Sequence, residues 1–170
     1  MMTRTTVLTL ATLLAATLIG ACGNGTRASG NFELVPMSPE GFDEAAGTAT
    51  LSRSGAGTDV SLELHGLMPN RAYISHLHAG SCDQLDPGGP HFAFDLNGPD
   101  MPPNEIHLLF TSDNDGNGTA EVHNDQVVPE GDGRSIVVHM AGAGHGSHAT
   151  GSADSHSHTH QPKIACAELD

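Results

Sequence analysis

The stretch that decides the fold class is Ser54-Gly55-Ala56-Gly57, followed two residues later by Val60-Ser61-Leu62-Glu63-Leu64. The first four residues place glycine where a tight hairpin turn needs positive φ. The next five alternate apolar and polar, which is the period of a strand with one face in a core, so Val60, Leu62 and Leu64 are expected to point inward. Outward from this segment, β-forming runs bounded by turn signals recur at residues 32–35, 47–52, 60–67, 72–78, 105–112, 119–123, 135–140 and 163–167. A second turn signal, Asp113-Asn114-Asp115-Gly116-Asn117-Gly118, predicts a second hairpin. Short strands at this spacing predict an all-β sandwich or barrel of about eight antiparallel strands. Residues 79–103 (Gly, Pro and Asp) and 141–161 (Gly, Ser and His) are the two long irregular connections, and loops of that length in a small domain are frequently functional.

Composition agrees. A chain of 170 residues with 4% aromatics, no Trp, 21 Gly and 10 Pro has room for one modest core, built from strands and turns more readily than from helices. Twenty acidic against six basic residues give a formal net charge of −14, a field that repels nucleic acid and anionic lipid surfaces. The 12 His residues point elsewhere, because imidazole is the commonest side-chain ligand for copper, zinc and nickel.

The N-terminus reads as an address. Residues 1–6 carry one positive side chain, Arg4, before an apolar run over residues 7–20 that is short for a bilayer span, as in a signal peptide over residues 1–21. Leu18-Ile19-Gly20-Ala21-Cys22 resembles the bacterial lipobox, in which the cysteine is acylated and becomes the mature N-terminus; the alternative is an ordinary secretory signal cut near Ala21. With Cys22 lipidated, small polar residues up to Gly30 form a flexible tether, and the folded domain spans residues 31–170. The expected location is the outer side of a bacterial cell membrane, periplasmic or on the cell surface, with the lipid as the only membrane contact.

His76-Leu77-His78 closes one predicted strand, where residues two apart share a face and two imidazoles can hold one ion. Cys82 follows, then Gly89-Pro90-His91-Phe92; later come Gly133-Arg134-Ser135-Ile136-Val137-Val138-His139 and Lys163-Ile164-Ala165-Cys166. In this order, over residues 32–169, these blocks resemble the copper/zinc superoxide dismutases. The resemblance implies a Greek-key fold, copper held by His76, His78, His91 and His139, and a bridge between Cys82 and Cys166. Cysteine arithmetic agrees, since a lipidated Cys22 leaves those two to pair in an oxidising compartment. Four nitrogen ligands without thiolate suit a copper that cycles between oxidation states.

The chain departs from the family in three places. The positions matching the remaining zinc ligands hold Pro99, Pro103 and Ile106, none of which binds metal, so a copper-only site is expected and zinc is doubtful. A rearranged zinc site from Asp95, Asp100, Glu105 or His107 is the alternative, with an outer hydrogen-bonding role for Glu105 and His107 as the blander one. The family's anion-guiding Arg is replaced by Lys163, which keeps the charge without the planar fork. Third, the charged loop becomes a segment bearing His145, His148, His156, His158 and His160, read either as a metal-capturing loop or as a solvated one. His65 and His123 belong to no motif and are expected to be structural.

The expected function is conversion of superoxide to dioxygen and hydrogen peroxide outside the cytoplasm, with Lys163 guiding the anion. The alternatives are a non-enzymatic lipoprotein that buffers or delivers copper, and a noncatalytic β-domain of chordin-like type.

Overall fold

The computed structural model describes residues 25–141 and 161–170. Cys22, the proposed signal segment and the histidines of residues 145–160 therefore lie outside the described residues. Eight strands follow one another: β1 (Thr26–Leu34), β2 (Ala46–Ser54), β3 (Gly57–His65), β4 (Ala72–His78), β5 (His107–Thr111), β6 (Gly118–Asn124), β7 (Ser135–Met140) and β8 (Lys163–Glu168). They form one antiparallel sheet in the order β5-β4-β7-β8-β1-β2-β3-β6, which curls into a nearly closed barrel of Greek-key type. Every predicted strand is present.

The deciding stretch behaves as its pattern requires. Ser54 pairs with Gly57 across a two-residue loop, and Val60, Leu62 and Leu64 are buried while Glu63 faces solvent. The core fills the barrel with inward residues of all eight strands, including Leu51, Leu77, Leu108, Ile136, Val138 and Ile164. Tyr73 stacks on Phe110 with ring centroids 5.4 Å apart and meets Phe42 edge-on at 6.2 Å.

Three expectations are corrected. The turn at residues 113–118 forms, with the Asp113 carboxylate accepting the N–H groups of Asp115 and Asn117, but it does not make a hairpin. Its flanking strands β5 and β6 stand at opposite edges of the sheet, so the turn carries the chain across the seam of the barrel. A Cβ on Gly118 would lie 2.5 Å from the Phe110 ring, so the missing side chain lets the two edges close on each other. Residues 26–30, assigned to the tether, continue β1 and pair with Ala49–Arg53 of β2. That half of β1 is mostly exposed and held by backbone pairing, which leaves no apolar pattern to read. Finally, Glu105 precedes β5 and forms an isolated bridge with Ala93.

Side-chain alternation sets up the site. Tyr73 and Leu77 of β4 and Ile136 and Val138 of β7 point into the barrel, so His76, His78 and His139 point out of it on one shared face. A bulge opposite His139 leaves Ile164 as the extra residue of β8, brings Lys163 into register with His139 and re-aims the strand ends. The connection after β4 crosses over this face.

Candidate metal centre

His76 and His78 come from β4, His139 from β7, and His91 from the crossing connection, where it bridges in antiparallel sense to His78. One nitrogen of each ring lies within 4.8 Å of a nitrogen of every other. The rings of His76 and His91 stack at 4.0 Å, and those of His78 and His139 at 5.8 Å. His76, His78 and His139 are buried, while His91 keeps 22% of its side chain exposed and forms the outer wall.

Hydrogen bonds fix which nitrogen each ring presents. His78 Nδ1 donates to Gly89 O at 3.0 Å and His139 Nδ1 to Gln161 O at 3.2 Å; a carbonyl only accepts, so in both neutral rings Nε2 keeps its lone pair. Among the described residues, His78 Nε2, His139 Nε2 and His76 Nδ1 are buried without a hydrogen-bond partner. Three orphaned buried nitrogens aimed at one place are costly unless something binds them, and neutral imidazole nitrogen suits copper or zinc.

The protonation equilibria agree. Burial, then the neighbouring rings beginning with His91, drives His76 far below the ordinary imidazole range. Burial foremost pushes His78 down to about 3 and His139 to about 4. All three are therefore neutral in the folded metal-free chain at neutral pH, the form that binds metal.

Gly88 lets the crossing connection lie this close. Its φ is +82°, and a Cβ there would stand 2.6 Å from Val137 and 3.0 Å from the His78 ring. The same connection is tied down by the disulfide from Cys82 to Cys166 of β8, whose Cα atoms are 5.7 Å apart. Glu168 adds a second tie, accepting the Cys82 N–H at 2.7 Å while its other oxygen pairs with Arg134 at 3.1 Å.

Behind His91 lies a second group. Glu105 Oε2 accepts from His91 Nδ1 at 2.8 Å and from His107 Nε2 at 2.7 Å. Burial alone would raise this carboxyl, but the hydrogen bonds from His107 and His91 outweigh it and bring the group down to about 2. His107 faces His76 as its β5 register partner. Of the residues weighed for a rearranged zinc site, Glu105 and His107 thus meet at His91, whereas Asp95 and Asp100 belong to neither His-containing group. Asp95 instead accepts the N–H of Asn97, and Ile106 is packed in the core. His65 is exposed at the end of β3, and His123, half-exposed, pairs with Asp59.

Lys163 stands beside His139 with its Nζ on Asp86 Oδ1 and Pro87 O. Sequence reasoning missed Asp86, Gly88 and Glu168, because their roles arise from a loop folding back over a sheet.

Fold and site together define an antiparallel barrel with a cluster of four imidazoles that could hold a metal ion on its outer face, beneath a disulfide-tied loop. A solved structure titled Cu/Zn superoxide dismutase from Brucella abortus is similar to this chain, with a TM-score of 0.52 and 20% identity, covering 86% of this chain and 99% of that one. The chain therefore has the copper/zinc superoxide dismutase fold. No protein-family model matches the sequence, and no curated protein does either.

Proposed function

We propose that the protein is a copper-dependent superoxide dismutase working outside the cytoplasm, with copper on His76, His78, His91 and His139. The observation that carries this reading is the set of three buried, unpartnered ring nitrogens converging on one point in a chain of this fold. Bound copper would supply a one-electron couple: one superoxide gives up an electron and leaves as dioxygen, and a second accepts it and leaves with two protons as hydrogen peroxide. The chain's part is to hold four imidazoles in place and to keep the mouth accessible. The Gly89 and Gln161 carbonyls orient His78 and His139, and Glu105 orients His91. Lys163 supplies positive charge beside His139, which guides an anion inward.

The reading is copper-only. Glu105 holds His91 Nδ1, and Pro99, Pro103 and Ile106 bring no donor to the positions of a second metal. The disulfide favours an oxidising compartment, in keeping with export and with lipidation at Cys22.

The test is to load purified protein with copper, strip loosely held metal with a mild chelator, and measure metal content and superoxide consumption on the same sample. About one tightly held copper with rapid dismutation is expected, and His139→Ala should lose most of both. Tight copper without dismutation would replace the enzyme with a copper-buffering lipoprotein, and no tight copper in the wild type would sink both.

A further inference from the structure

Lys163 is not a bare cation at the mouth of the centre. Its Nζ lies 2.5 Å from Asp86 Oδ1 and 2.7 Å from Pro87 O. The lysine side chain is 19% exposed and Asp86 75% exposed, so the pair joins an enclosed ammonium to a carboxylate standing in water. Asp86 belongs to the connection that crosses the site, and Lys163 opens β8 in register with His139.

A small anion approaching the four imidazoles would use this ammonium, but a carboxylate of the same chain already sits on it. We propose that Asp86 is a resident competitor, which acts through Lys163 to weaken the affinity of the metal centre for small anions. This rests on the reading of the centre as a copper site that admits an anion. Because the Asp86 carboxylate stands in water and is well solvated when released, an incoming anion displaces it at small cost. Removing the carboxylate should leave the ammonium in place, because Pro87 O still accepts from it.

The probe is azide, titrated into the copper(II)-loaded full chain and followed by the charge-transfer absorption that appears when azide binds copper. Asp86→Asn should bind azide about fivefold more tightly than the wild type at low ionic strength, the scale of one unit charge a few ångströms away in a wet site. The gain should shrink at high salt, and Asp86→Glu, which keeps the charge, should restore wild-type affinity. Unchanged or weaker azide binding by Asp86→Asn, with copper content and melting temperature as in the wild type, would overturn the proposal and make Asp86 only a positioner of Lys163. Tighter azide binding without superoxide turnover would uphold the proposal and remove the enzyme reading. A wild type that holds no copper would overturn both.

Discussion

Glu105 is only 4% exposed, yet it stays ionised because two imidazole N–H groups meet on its Oε2. Its position three residues before Leu108 in a β-forming run said that it lay near His107; it did not say that His91 would come back across the sheet to meet both. Glu105→Leu should strand two ring N–H groups and free the His91 ring to turn. Copper affinity should then fall by about tenfold to a hundredfold, and Glu105→Gln, whose amide oxygen still accepts, should lose less. Competition with a chelator of known affinity measures both. Equal affinity in all three proteins would show that His91 does not need Glu105 to hold it in place. The four candidate ligands themselves were legible from their flanking residues, since His-Leu-His, Gly-Pro-His-Phe and Val-Val-His are local patterns.

At the scale of elements, β4 and β7 are central strands whose inward residues make core and whose outward residues make the site. The site is therefore as rigid as the barrel on three of its four imidazoles. The fourth hangs on the crossing connection, and the Cys82–Cys166 disulfide ties that connection to β8 across a sequence separation of 84 residues. Loop-closure entropy for a link of that span corresponds to about 4.5 kcal/mol, so Cys82→Ser with Cys166→Ser should lower unfolding stability by about 3–5 kcal/mol. Urea unfolding checks this, and the double variant should also hold copper less tightly because His91 loses its tether. A change under about 1 kcal/mol would mean that the Glu168 tie to the Cys82 N–H suffices. The second hairpin was misread at this scale: a turn sequence fixes local geometry, but not whether the strands on either side become neighbours.

For the whole molecule, burying three neutral imidazoles makes the metal-free fold sensitive to acid. The unfolded chain protonates them near the ordinary value of about 6.5, whereas the folded chain keeps His139 neutral down to about 4 and His78 down to about 3. Between these limits the unfolded state binds more protons, so stability falls as pH drops through this window. From pH 6.5 to 5 the loss is on the order of 2 kcal/mol per imidazole, and the melting temperature of the metal-free protein should fall by about ten degrees or more. Glu105 acts in the same direction at lower pH: its depressed value stabilises the fold above about 4.5, and that contribution is lost as pH falls toward 2. Calorimetry of the metal-free protein at pH 7 and 5 decides the point, and an unchanged melting temperature would mean that the rings are solvated in the fold.

The sequence by itself determined the strand set and the inward residues of β3, because these rest on alternation and turn chemistry; its four candidate imidazoles it offered only through short motifs that resemble a known family. The tertiary structure alone decided that β5 and β6 sit on opposite edges, that β1 begins at Thr26, that Glu105 joins His91 to His107, and that Asp86 covers Lys163. Each of these depends on backbone pairing or side-chain contact between segments distant in the chain, whose partners are chosen only when the sheet curls and its long connection folds back over it.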